Sequence, residues 1–191
     1  MFSLSRPTTT RIAQQAVLAE RSRPKEAQLL GVKEGLKSSR VPILFAHDRA
    51  TCSLGRGAMA FENAQRAFEH WIMFDLGWVR VENSSARIRA GQIVAVQVHA
   101  LGLWSLNHCH ILEVTATPNR FGFVYGTTQI HVESGEERFL IELNPATDEV
   151  TYTLEAVSHP RTLLTWLGYP VTRRVQRRFV EDSQRRMQDA V

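Results

Sequence analysis

The sequence predicts an α+β protein in which a curved antiparallel sheet of about six strands grips a long C-terminal helix. Three observations lead there. Residues 78–157 hold six segments of period-two alternation, rich in Val, Ile, Phe, Tyr and Thr. The turn-like stretches between them are short, which favours an antiparallel meander over parallel crossovers. Beyond Pro160, Leu164, Leu167, Val171, Val175 and Phe179 recur at spacings of three and four, the apolar stripe of a helix.

The chain has 191 residues, 43% hydrophobic and 22% charged, which suits one substantial core and excludes a disordered chain. Residues 1–40 are weakly patterned and read as a loose arm with a short helix over 10–20. Residues 41–191 read as a single domain. The first nineteen residues carry no acid and several Ser, Thr and Arg, the composition of an organelle transit peptide. They lack the continuous apolar stretch of a secretory signal. Val41-Pro42 opens a short strand or extended crossing over 41–45, because proline disfavours helical geometry in the residue before it.

The ordered core is expected to start at Leu54-Gly55-Arg56-Gly57, read as a turn whose glycines permit positive φ. A helix over 60–76 follows, with Phe61, Ala64, Phe68, Trp71 and Ile72 on one face and Gly77 as its C-terminal cap. Strands are predicted over 78–81, 92–100, 105–115, 120–129, 137–143 and 150–157. Turns are placed at Pro118-Asn119, Glu133-Ser134-Gly135 and Asn144-Pro145. Pro160 opens the final helical region, and Pro170 splits it into a short helix over 161–168 and a longer one from about 170 to 188.

Charge and cysteine usage narrow the function classes. From residue 161 onward, seven arginines stand against three acids, which is the whole formal excess of +4. Such a stripe fits an anionic membrane face or nucleic acid, or else a solvated helix face whose arginine stems cover apolar neighbours. Cys52 and Cys109 form no disulfide framework and no zinc spacing, so a reducing cytoplasm is the expected setting. No apolar run reaches the ~18–20 residues of a membrane-spanning helix.

Taken in order, several segments resemble the bacterial and plant group called uncharacterised protein family 0548. They are Leu54-Gly55-Arg56-Gly57, Phe61-Glu62, Trp71, Gly77-Trp78, Phe121-Gly122-Phe123-Val124-Tyr125-Gly126-Thr127, His131, Ser134-Gly135-Glu136-Glu137-Arg138-Phe139, Ser158-His159-Pro160, Leu167-Gly168-Tyr169-Pro170 and Gln176-Arg177-Arg178-Phe179. The resemblance spans about residues 41–187. His110 departs from it, standing where an arginine is common, and the first forty residues match poorly. The resemblance implies the helix-grip fold of the START-like and birch-allergen-like proteins and carries no reaction with it. In that fold the space between sheet and helix is expected to hold a ligand.

The densest polar chemistry runs from Tyr125 to Arg138. Alternation puts Tyr125, Thr127, Gln129 and His131 on one face, Glu136 and Arg138 on one face, and Glu137 and Phe139 on the other. A hairpin would bring His131 to Glu136 or Glu137, where a carboxylate fixes an imidazole's tautomer and raises its pKa. The competing reading is a cross-strand network that only satisfies buried polar groups. His108 and His110 share a strand face, but no further metal-ligand pattern supports them, so no metal is expected. Cys109 alternates away from both, which removes a Cys–His nucleophile. Gly55-Arg56-Gly57 lacks the Lys-Ser/Thr of a phosphate loop and reads as a structural turn; no cofactor is expected.

Three functions follow as expectations. The leading one is a binding module for a small apolar or amphipathic molecule, with Trp104, Tyr125, Thr127, Phe139, Tyr152, Val175 and Phe179 around it. The second is an enzyme using the same pocket, with His131 as acid/base, Glu136 or Glu137 orienting it, and Arg138 or Tyr125 holding substrate. The third is an adaptor for nucleic acid or an anionic surface through Arg173, Arg174, Arg177, Arg178, Arg185 and Arg186.

Overall fold

A computed structural model describes residues 2–21, 29–31, 34–37, 45–82, 84, 87–131, 133–160 and 169–191. In chain order it contains β1 (Phe2–Ser3), α1 (Thr9–Arg21), β2 (Leu30–Gly31), β3 (Gly35–Leu36), β4 (Ala46–Arg56), α2 (Gly57–Glu69), a 3₁₀ turn (Ile72–Phe74) and β5 (Val79–Val81). Then follow β6 (Ile93–Ala100), β7 (Leu103–Thr117), β8 (Arg120–Thr127), β9 (Glu133–Leu143), β10 (Glu149–Pro160) and α3 (Tyr169–Gln188). Seven strands form one curled antiparallel sheet in the order β4-β10-β9-β8-β7-β6-β5, and the short β1 pairs with β7. This is the expected α+β arrangement, with a C-terminal helix against a bent sheet.

The bend has local causes. The ladders slip one residue at Ile111/Glu113 on β7 and at Val150/Thr151 on β10, and such bulges increase strand twist. Gly122 lets β8 and β9 approach closely, since a Cβ there would stand 2.4 Å from the Phe139 carbonyl oxygen. Side chains on the concave face form the main core, in which Phe123 and Phe139 stack at 5.0 Å and Phe68 of α2 meets Tyr152 edge-on at 5.6 Å. On the convex face Val124, Leu140 and Val157 are covered by Leu30, with Leu29 and Leu36 beside it. Ala19 of α1 is likewise fully buried. The described part of the N-terminal region is therefore packed rather than loose. It forms the outer layer of the sheet.

Several element bounds differ from expectation for identifiable reasons. Leu54-Gly55-Arg56 is the end of an 11-residue strand, β4, and not a turn. That strand lies at a sheet edge, and its half-buried alternation is carried by Ala, Asp and Cys, which do not announce a strand. Helix α2 stops at Glu69, well before Gly77, because the chain passes through Trp71 at φ 58° into the 3₁₀ turn. Ser134-Gly135 lies inside β9, and the reversal falls at Thr128–His131 instead. Pro160 ends β10 rather than opening a helix, whereas Pro170 sits in the first turn of α3, where its missing N–H is harmless. The expected strand over 41–45, except Phe45, and the helix over 161–168 lie outside the described residues.

Candidate ligand cavity

Helix α3 is fastened to the sheet mainly near its C-terminal end. Met187 is fully buried, and the Ser183 hydroxyl meets the Tyr152 hydroxyl at 2.9 Å. The Trp78 indole N–H donates to the Asp182 carboxylate at 2.9 Å, and the Arg178 guanidinium lies 4.5 Å from the centre of the Trp78 ring. At the other end the contacts of the described residues that hold the helix are polar. Arg173 pairs with Asp48, and Gln176 Nε2 donates to the Glu133 carboxylate at 3.1 Å. A helix pinned low at one end and propped at the other leaves space beneath it. That space is a cavity of about 720 Å³ between α3 and the concave sheet face.

Its walls are largely apolar: Val96 and Val98 of β6, Leu154 of β10, Phe74 of the 3₁₀ turn, and Val175 and Phe179 of α3. Leu101, 76% exposed at the tip of the β6–β7 hairpin, and Val171, 47% exposed, stand at the rim. Polar groups sit at few positions. Tyr125 and Glu137 are directly opposite in the β8–β9 ladder, and the Tyr125 hydroxyl donates to Glu137 Oε2 at 2.5 Å. Burial raises the Glu137 carboxyl to about pKa 7, against the lowering effect of the Tyr125 hydrogen bond and with further upward pressure from Glu133 and Asp48. Burial also raises Glu133, and it pushes Tyr125 well above its ordinary range. Asn107 of β7 is buried at 8% exposure on the same wall; its amide N–H donates to Ser105 at 3.1 Å while Oδ1 has no hydrogen-bond partner among the described residues.

The candidate residues divide between the two faces. Tyr125, Thr127, His131, Glu137, Val175 and Phe179 all line the cavity. The imidazole of His131 is held by its own turn, Nδ1 accepting from the Glu133 backbone N–H at 2.9 Å. The Glu137 carboxylate bonds Tyr125, the residue that ladder register puts beside it. Glu136 contributes to the cavity edge, but its side chain turns to the convex face, where Oε2 accepts from the backbone N–H groups of Leu29 and Leu30 at 2.8 Å each. Arg138 is on that outer face too, buried in an ion pair with Glu155 at 2.5 Å. Phe139 and Tyr152 are fully buried in the concave core without lining the cavity. Trp104 points outward and stacks on His99 at 4.4 Å.

Glu136 thus acts as a socket for the N-terminal layer. Glu136→Ala is expected to free the Leu29 and Leu30 amides, speeding their hydrogen exchange, and to lower global stability by about 1–3 kcal/mol. Unchanged exchange at both amides would contradict this.

Other candidate features are accounted for by packing. His108 lies fully buried on the convex face, where burial lowers its pKa to about 4, while Cys109 faces inward and burial pushes its thiol well up, away from the reactive thiolate. Among the described residues no group of three or more His, Cys, Asp or Glu side chains is placed to hold a metal ion. On α3, Arg173 pairs with Asp48, Arg178 and Arg185 share Asp182, and Arg186 pairs with Asp75, so four of the six arginines are engaged within the molecule by three carboxylates. No helix among the described residues is long and apolar enough to cross a membrane.

Sequence reasoning missed Asn107, Glu133 and Gln176. The alternation of β7 places Asn107 on the same face as inward Cys109, which was a usable signal. Glu133 was hidden because it reads as part of a turn.

The profile of a domain of unknown function, DUF1990, matches residues 31–186. A UPF0548 protein of Dictyostelium discoideum is 36% identical over 158 residues, covering 77% of this chain and 73% of that one. UPF0548 protein At2g17695 of Arabidopsis thaliana is 28% identical over 158 residues, covering 80% and 75%. Among solved structures, the di-domain ARO/CYC StfQ from the steffimycin biosynthetic pathway aligns with a TM-score of 0.52 at 9% identity, over 77% of this chain and 50% of that one. This likeness is one of fold. The major latex-like protein 151 of Panax ginseng aligns with a TM-score of 0.47 at 9% identity, over 76% and 97%.

Proposed function

The chain belongs to the DUF1990 family of UPF0548 proteins, and from the cavity we propose that it is a binding module that encloses a small apolar or amphipathic molecule between its sheet and α3. The observation that carries this reading is the cavity of about 720 Å³, within the size range of small-molecule sites and walled mainly by Val, Leu and Phe with a few converging polar groups. The two free cysteines agree with a reducing compartment, and we place the protein in the cytoplasm.

The test uses the neutral apolar fluorophore N-phenyl-1-naphthylamine. Saturable fluorescence enhancement is expected with the native chain. Val98→Trp and Val175→Trp, which fill the cavity from opposite walls, are each expected to weaken it at least tenfold while leaving the circular dichroism spectrum unchanged. Absence of binding to the native chain, or equal binding to both filled variants, would overturn the reading.

One observation favours a second, catalytic reading: His131 and Glu137 line the same cavity. In that version His131 and Glu137 are the acid/base groups and Tyr125 orients the carboxyl. Glu136 and Arg138 drop out, since their side chains are engaged on the convex face.

A further inference from the structure

The cavity's polar groups are not a random mixture, and their imbalance bears on what they recognise. Carboxylates at Glu133 and Glu137 both project from the concave side of β9, two strand repeats apart, toward the space under α3. Each has a neutral hydrogen-bond partner, Gln176 for Glu133 and Tyr125 for Glu137. Of the guanidiniums that line the cavity, Arg173 acts on Glu133 but is held by both Asp48 oxygens, and none is paired with Glu137 among the described residues. On β7, two strands away, Asn107 presents Oδ1, buried and without a partner among the described residues. A buried acceptor left open costs about 1–3 kcal/mol, so a site that keeps one is built for a donor that arrives with the ligand.

We infer that the cavity takes an amphiphile with a positively charged amine head, its ammonium donating into the acceptor wall formed by Asn107 Oδ1 and the Glu133 and Glu137 carboxylates and its apolar tail lying along Val96, Val98 and Phe179. This rests on the binding-module reading and specifies its ligand class. An ammonium group has three donors and no acceptor, which matches an acceptor-rich wall. It also supplies the counter-charge that Glu137 lacks among the described residues, whereas a carboxylate head would add a third buried anion and be rejected. Gln184 Nε2, on the helix wall, is a buried donor without a partner. It makes an alcohol, which both donates and accepts, the necessary control.

Three ten-carbon probes separate the possibilities: decylamine, decanol and decanoate, titrated calorimetrically at pH 8 below their aggregation thresholds. Decylamine is expected to bind at least tenfold more tightly than decanol, and decanoate more weakly than either. In Glu137→Gln, which keeps shape and the Tyr125 hydrogen bond, the amine advantage over decanol should fall at least fivefold. Equal affinity for amine and alcohol, or a preference for decanoate, would overturn the inference. If N-phenyl-1-naphthylamine still binds in the cavity, that outcome leaves the binding-module reading standing. If the fluorophore also fails, both fall. The head-group comparison on the native chain needs no variant to fold.

Discussion

Arg138→Ala is expected to destabilise the protein by about 3–5 kcal/mol without abolishing N-phenyl-1-naphthylamine binding by the folded fraction. Arg138 and Glu155 are buried at 3% and 2% exposure, paired at 2.5 Å across the β9–β10 ladder. His47 Nε2 lies 2.8 Å from the other Glu155 oxygen, so the carboxylate is shared between two strands. The β2–β3 hairpin closes over this group through Gly35, at φ +70°, where a Cβ would stand 2.7 Å from Glu155 Oε2. Removing the guanidinium strips the buried Glu155 carboxylate of its cationic partner on β9 and leaves it only the His47 contact among the described residues, and that desolvated charge, rather than the lost attraction, makes the loss large. For a chain of this length the drop corresponds to a fall in Tm on the order of 10 °C. Replacing both partners with apolar residues, Arg138→Met with Glu155→Leu, should recover most of the loss, since neither charge then remains to be desolvated. Retained stability in Arg138→Ala, together with lost probe binding, would instead return Arg138 to the ligand site.

The pair also shows how far the sequence was legible. Period-two alternation correctly separated Glu136 and Arg138 from Glu137 and Phe139, because side-chain parity is a property of the strand alone. Which parity faces the cavity is a tertiary fact. It depends on the direction in which the sheet curls and on what covers the other side. The cover here is the N-terminal region, whose Leu29–Leu36 stretch carries too short a pattern to reveal that it would dock on Val124 and Leu140. The partner of Glu137 was misjudged for a similar reason. Placing the reversal at Ser134-Gly135 puts His131 across from it, whereas the reversal at Thr128–His131 shifts the ladder and brings Tyr125 opposite. Helix α3 was the easiest element to read, since Val171, Val175 and Phe179 keep a spacing of four along one face. The cavity under it was not readable from Val175 and Phe179 alone, because it depends on the contrast between the buried Ser183–Met187 end and the propped Arg173–Gln176 end.

Glu137→Gln is expected to stabilise the protein at pH 8 and to have little effect at pH 4.5. The carboxyl titrates near its ordinary value of 4.5 when unfolded and at about 7 when folded. Between those values the folded state holds more protons, so stability falls as pH rises from 4.5 through 7 and levels off above. The full separation corresponds to roughly 3 kcal/mol, reduced by whatever water in the cavity screens the charge. Groups facing Glu137 from the surrounding elements do not reverse the sign: Tyr125 donates to it, Glu133 and Asp48 repel it, and Cys109 is neutral. Gln is isosteric, accepts the same Tyr125 hydrogen bond and carries no charge, so denaturant midpoints of variant and native chain should coincide at pH 4.5 and diverge towards pH 8. A variant less stable than the native chain at pH 8 would mean that Glu137 is ionised and supported there. The expected sign matters for function. A concave apolar face that holds an acid where a glutamine would fit better is stabilised less than its fold allows, and such departures concentrate where a protein meets its ligand. Saturating decylamine should therefore cancel the pH dependence, by supplying at Glu137 the cation that no described residue places there.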